Sequence, residues 1–436
     1  MDDMIHRAPD SISGLLCQKY LVRPECAVLL LTASLAPAEE TEPLLGRLLD
    51  EPLQWETVLD LSYVHGVTGL LHRRLRASPR WEGLPEEVRR ELDRYHHAMR
   101  FAHFAIARQL GELLDLAAAH GLSPIVLKGA ALAATAYPDP TLRPMGDIDL
   151  LTTRDRLDAM LAIMAELQYR QVPLYYNDDF NSERGYHFRY ADPQRGRQPV
   201  ELHWDLASRL ERRNRLTPAA LEDCTVRARV VLLAGAPTRE ARILTPTAQM
   251  VYLAAHAATE GHALGRLIWL ADVAAVGRTM TVADWEATID LAHRARAKAA
   301  TFLALALAQN LLSAPVPQRV ITELRPPRCV LQALERVLNP QVILDPVTDE
   351  RRALVKYLVV DNPATTVRLL CERLFPPPTA MRVYAPELAA RNLRGAYVQH
   401  VTDIGHAAMR KLSTAFFARD AGATRQRSGN RSESKQ

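Results

Sequence analysis

Cysteine is scarce in this 436-residue chain and carries no pattern. Cys17, Cys26, Cys224, Cys329 and Cys371 are scattered, with no Cys-x-x-Cys pair and no Cys/His cluster at zinc spacing. That argues against a disulfide framework and fits a reducing cytoplasm. Long apolar runs are also missing: none approaches the roughly 20 residues that span a bilayer. The opening Met1-Asp2-Asp3-Met4-Ile5-His6-Arg7 is too acidic for a signal peptide, so a cytoplasmic location is expected. Neither sign of charge dominates. A net charge of +4 and 6% aromatic residues build no aromatic-basic face, and nucleic acid is not the expected partner. No internal repeat is present. The remaining composition, 48% hydrophobic and 24% charged, is that of a soluble globular protein long enough for two or three domains.

What stands out is Arg143-Pro144-Met145-Gly146-Asp147-Ile148-Asp149-Leu150-Leu151. A strand sends alternate side chains to opposite faces. Asp147 and Asp149 then share one face while Ile148 and Leu150 point into a core, and Pro144 and Gly146 mark a tight entry. Two neighbouring carboxylates stay ionised most easily with a cation between them, and hard oxygen ligands suit Mg²⁺, with Mn²⁺ as a substitute. By itself Asp-x-Asp is common in surface turns.

The flanking segments add to it. Upstream, Ser123-Pro124-Ile125-Val126-Leu127-Lys128-Gly129-Ala130-Ala131-Leu132 reads as a short buried strand, a glycine and an alanine-rich helix. Such a junction presents backbone N–H groups at a positive helix end, which suits phosphate, and Lys128 can add a point charge; an ordinary strand-to-helix turn has the same pattern. Downstream, Gln198 to Leu206 alternates. Val200, Leu202, Trp204 and Leu206 lie on one face, and Glu201, His203 and Asp205 on the other. If this strand lies beside the Asp147 strand, Glu201 closes a cup of three carboxylates, with His203 supporting it or facing the acceptor.

Leu127-Lys128-Gly129-Ala130-Ala131-Leu132, Arg143 to Leu151, and Glu201-Leu202-His203-Trp204 together resemble a branch of the DNA polymerase β-like nucleotidyltransferase superfamily made of largely uncharacterised bacterial proteins. The resemblance is strongest over about residues 120–210. It implies a small mixed sheet with a Gly-containing phosphate loop, an Asp-x-Asp metal pair (Asp147, Asp149) and a third acidic ligand, Glu201, on a later strand. Two departures are visible: Ala130 stands where the superfamily usually has a serine after the glycine, and Glu201 is longer than aspartate. The branch also has His256 and Leu267-Ile268-Trp269-Leu270-Ala271-Asp272, which implies a helix against the nucleotide pocket. Asp272 would there fix a base, a histidine or an arginine; a buried ion pair locking two helices is an equal reading.

The expected fold is α+β: a small mixed sheet core at 122–240, flanked by helical regions at 1–121 and 241–420, with a disordered Arg/Ser/Gly/Gln-rich tail at 421–436. The first region carries helical spacing over Cys26 to Leu35 and Trp55 to Leu71. Its clearest stripe is Leu92, Tyr95, Met99, Ala102, Ile106, Leu110, Leu113 and Ala117, a helix from Val88 to His120 stopped by Gly121. His96, His97 and His103 on it read as surface or packing residues, since adjacent positions do not share a helix face. In the core, Arg154 to Leu167 is an amphipathic helix. Gln171 to Tyr176, Tyr186 to Ala191 and Arg227 to Leu233 read as strands, with a polar connection Asn177 to Gly185 and a turn Asp192 to Gly196. Thr245-Pro246 is an N-cap and first helical residue, His256 and Glu260 lie four apart on the helix that follows, and Pro326-Pro327 and Pro376-Pro377-Pro378 are breaks. Tyr397 to Phe417 reads as an amphipathic helix packed on the body.

The expected chemistry is Mg²⁺-dependent transfer of a nucleoside monophosphate from a nucleoside triphosphate, ATP in first place, to a hydroxyl-bearing small molecule, peptide or protein. Asp147, Asp149 and Glu201 hold metal; Lys128, Gly129 and Ala130 hold phosphates. Arg143 neutralises the triphosphate or fixes its loop by a salt bridge, and His203 and Asp272 complete the pocket. The alternatives are a catalytically silent nucleotide-binding or antitoxin-like module of the same fold, which the presence of all three acids and Lys128 disfavours, and an RNA-directed enzyme, which the weak charge disfavours.

Overall fold

The computed structural model describes residues 23–173, 185–192, 196–207, 214–258, 264–338, 343–344, 352–407 and 409. Helices come first: Pro24–Ala33 (α1), Ala38–Leu49 (α2), Trp55–His65 (α3), Thr68–Arg76 (α4) and Glu86–Ala119 (α5). The mixed region follows as Ile125–Val126 (β1), Lys128–Thr135 (α6), Ile148–Leu151 (β2), Leu157–Glu166 (α7), Arg170–Val172 (β3), His187–Asp192 (β4), Arg197–His203 (β5), Pro218–Leu221 (α8), Thr225–Val230 (β6) and Arg239–Leu244 (β7). Helices return with Pro246–Ala258 (α9), Leu267–Thr279 (α10), Val282–Arg294 (α11) and Lys298–Leu312 (α12), then shorter ones from Gln318–Glu323 to Pro386–Arg391. The fold is α+β.

The strands form one mixed sheet in the order β3-β4-β5-β2-β1-β7-β6. β2 runs parallel to β5 and antiparallel to β1, and β1 runs parallel to β7. Its two faces meet different cores. Val126, Ile148, Leu150, Val200, Leu202 and Ile243 pack on α5 and α7 through Ile106, Leu110, Leu113, Met160, Ile163 and Met164. Ile125, Leu127, Leu151 and Leu244 face the other way, into a larger core built from α1, α3, α4 and α9 to α12. The helices before and after the sheet therefore share one interior. Ser34 Oγ donates to the Leu312 carbonyl at 2.8 Å, and the Leu267 amide donates to His65 Nδ1 at 3.2 Å.

Most elements follow from local pattern. The α5 stripe buries Leu92, Ile106, Leu110, Leu113 and Ala117, and Gly121 takes φ +70°, the left-handed value that ends a helix without a Cβ clash. Thr245 Oγ1 accepts from the Ala248 amide at 3.3 Å at the start of α9. Three expectations change. Trp55 to Leu71 is two helices, because Gly66 at φ +69° caps α3. The strand expected at Arg227 to Leu233 is Thr225–Val230, and it pairs with a further strand, Arg239–Leu244, that carries the sheet past residue 240. The Glu201 strand ends at His203, short of Leu206. The strand expected at Gln171 to Tyr176 is described as Arg170–Val172. Residues 1–7, Cys17, 174–184, 193–195, 408, 410–417 and 421–436, and Glu260, on which other expectations fell, lie outside the described residues. Among the described residues no helix is long and apolar enough to cross a membrane.

Candidate active site

β2 and β5 bring the acids together. Their parallel register sets Asp149 opposite Glu201 and Leu151 opposite His203. Period-two alternation then puts Asp149, Glu201 and His203 on one face, while Ile148, Leu150, Val200 and Leu202 on the other are fully buried. Ligand atoms of Asp149, Glu201 and His203 all lie within 4.8 Å of one another, the one such group among the described residues.

Asp149 is the hub. Its Oδ1 accepts from Lys128 Nζ at 3.0 Å and from His203 Nε2 at 2.9 Å. His203 Nε2 also lies 3.5 Å from Glu201 Oε2. Burial opposes ionisation of Asp149, but the Lys128 charge and the His203 hydrogen bond outweigh it and hold the carboxyl well below the usual range. Glu201 follows the same logic: burial raises it, the His203 hydrogen bond counters, and the net direction is down. Burial works against the His203 imidazolium, yet hydrogen bonds to Asp149 and Glu201 raise its pKa. Lys128 is raised too: burial disfavours its charge, and Asp149 more than compensates.

Asp147, just before β2, behaves oppositely. Burial, and then the charges of Asp149 and Glu201, push its pKa up to about 6. Three carboxylates thus face two cationic groups, Lys128 and His203, and the cluster holds one acid more than it has bases. A divalent cation would relieve that excess, and a set made mainly of carboxylate oxygens suits Mg²⁺. The donor set fits the metal expected from the sequence.

The start of α6 lies against the same loop. Lys128 has φ +42°, a left-handed value uncommon for a residue with a Cβ. Gly129 and Ala130 are buried in the first turn. A Cβ on Gly129 would stand 2.9 Å from Met145 Cγ, so only glycine lets this turn approach the segment that leads to Asp147.

Arg143 and Asp272 pair with each other. Arg143 Nε donates to Asp272 Oδ1 at 2.7 Å and Nη2 to Oδ2 at 2.9 Å. Of the two readings of Arg143, this is the geometry of the loop-fixing salt bridge. Of the partners considered for Asp272, it holds the arginine. Three residues around the site had escaped the sequence. Tyr137 donates its hydroxyl to Asp272 Oδ1 at 2.7 Å. His103, read only as packing, has Nε2 3.2 Å from the Arg143 carbonyl oxygen. His187 on β4 stacks on His203 with ring centroids 5.0 Å apart, and burial, with the His203 charge behind it, depresses its pKa to about 4. Its position at the head of an alternating strand was the one signal available; Tyr137 and His103 gave none.

A search of the curated proteins finds no match. A family model described as "Uncharacterised nucleotidyltransferase" matches residues 51–313. That stretch runs from α3 to the end of α12 and takes in the whole sheet and every residue of the acidic cluster. It is more than half of the chain, and the protein belongs to this nucleotidyltransferase family.

Proposed function

We propose that the protein transfers a nucleoside monophosphate from a nucleoside triphosphate, ATP being the first candidate, to a hydroxyl on a small molecule, peptide or protein, releasing pyrophosphate. The observation that carries this reading is the Asp149–Glu201 pair, set side by side on adjacent parallel strands with the Lys128 ammonium on Asp149. Asp147, Asp149 and Glu201 would hold Mg²⁺, or Mn²⁺ in its place, with His203 orienting Asp149 and Glu201. When bound, the metal supplies charge neutralisation for the triphosphate and lowers the pKa of the acceptor hydroxyl.

Lys128 and the start of α6 bind the β- and γ-phosphates through an ammonium charge and the positive end of a helix. The acceptor oxygen forms a bond to the α-phosphorus as the bond to the bridging oxygen breaks, and pyrophosphate leaves with that electron pair. Glu201, ionised and partly exposed, receives the acceptor's proton. The acids and Lys128 meeting in one place weighs against a silent module, which has no use for an ion-paired, metal-ready cup.

The test is incubation with each labelled nucleoside triphosphate, with and without Mg²⁺. Label transfer and pyrophosphate release should need Mg²⁺. Asp147→Asn and Asp149→Asn should each lower transfer by about 10³-fold or more while circular dichroism stays that of the wild type. Full activity in either variant ends the assignment. Nucleotide binding without pyrophosphate release would favour the silent module.

A further inference from the structure

The loop that delivers Asp147 is held by two outside elements and by a bond within itself. Asp272 sits on α10 with 0% of its surface exposed, and its two oxygens take three donors: Arg143 Nε and Tyr137 Oη on Oδ1, and Arg143 Nη2 on Oδ2. Arg143 Nη1 donates to the carbonyl of Pro144, inside the loop itself. From α5, His103 Nε2 meets the Arg143 carbonyl oxygen. Tyr137 follows α6, the helix that begins at Lys128. One carboxylate on α10 thus grips both the segment leaving the phosphate-side helix and the segment entering the metal strand.

A buried ion pair contributes little net stability compared with apolar packing of the same volume. A planar, two-point guanidinium–carboxylate pair does fix direction. Only three residues separate Arg143 from Asp147, so the orientation of the guanidinium limits where that carboxylate can stand. We infer that Asp272 is a positioning residue: acting through Arg143 and Tyr137, it makes α10 the element that sets Asp147 against Asp149 and Glu201. The inference rests on the nucleotidyl-transfer reading for the identity of the metal-holding residues.

The test compares wild type, Tyr137→Phe, Arg143→Lys and Asp272→Asn by Mn²⁺ titration, followed by electron paramagnetic resonance of free Mn²⁺, alongside thermal unfolding. Asp149→Asn serves as the reference for lost binding. Tyr137→Phe removes one donor and no charge and keeps the experiment decisive if Asp272→Asn does not fold. The folded variants are expected to bind Mn²⁺ about tenfold more weakly, and amides 145–149 to exchange hydrogen faster, with exchange elsewhere unchanged. Folded variants that keep wild-type Mn²⁺ affinity and wild-type exchange at 145–149 overturn the inference, whatever their melting temperature; a lower melting temperature alone is the signature of a merely structural pair. If wild type itself binds no Mn²⁺, the nucleotidyl-transfer reading falls, and the exchange at 145–149 alone decides whether Asp272 positions the loop.

Discussion

His103 shows what burial does to an imidazole placed against the segment that leads to Asp147. Its ring is fully buried, with Nδ1 2.8 Å from the Met99 carbonyl oxygen and Nε2 3.2 Å from that of Arg143. Only an imidazolium donates to both carbonyls, yet burial outweighs those bonds and lowers the pKa. A buried group whose folded pKa is lowered favours the neutral form. Above the unfolded value of roughly 6.5 it costs nothing. As pH falls below that value the unfolded chain takes up the proton first, and stability declines until the folded pKa is passed. Denaturant midpoints should therefore drop between about pH 7 and pH 5. The drop should be shallower in His103→Gln, which cannot titrate, and an identical slope in both proteins would contradict the argument. The sequence marked His103 as a packing residue, and its chemistry was invisible there because its partner Arg143 lies 40 positions away.

Among the elements, the α6 turn stands close against the loop before β2. Gly129 is needed there for space: a Cβ would lie 2.9 Å from Met145 Cγ and 3.4 Å from its Sδ. Gly129→Ala should cost about 1–3 kcal/mol by overpacking. Met145→Ala added to it should recover part of that loss, because the two side chains compete for one space. Denaturant unfolding of the single and double variants measures this, and strict additivity would show that the steric account is wrong. The sequence showed the glycine between a strand and a helix. That its neighbour is Met145 depends on how the chain folds back between α6 and β2. Strand β7 escaped for another reason: Arg239, Glu240 and Arg242 leave only Ala241, Ile243 and Leu244 as an apolar pattern, too short to stand out.

At the scale of the molecule, the sheet is inseparable from the helices around it. Its second face buries Ile125, Leu127, Leu151 and Leu244 in the interior shared by α1 and α9 to α12. Residues 122–240 expressed alone would expose that face and lose β7 beyond residue 240, together with α5 beneath the other face. This fragment should lack the cooperative unfolding transition of the full chain and bind a hydrophobic dye; a cooperative transition in the fragment would show that the sheet folds independently. The family match from 51 to 313 covers the same union of sheet and surrounding helices.

The sequence by itself determined the local geometry of the acids. Alternation with period two puts Glu201 and His203 on one strand face, whereas Asp147, expected on a strand with Asp149, lies just before β2; three- and four-residue spacing forces α5 to show one apolar side. Tertiary structure alone decided which strand lies beside which, and so that Asp149 meets Glu201, that Lys128 and His203 share one oxygen of Asp149, and that Arg143 turns to Asp272, 129 positions away. The division is physical. Backbone periodicity acts over a few residues and is written into their order, whereas a partnership between side chains far apart in sequence exists only once burial has removed water and left each charge to the partner that packing placed nearest.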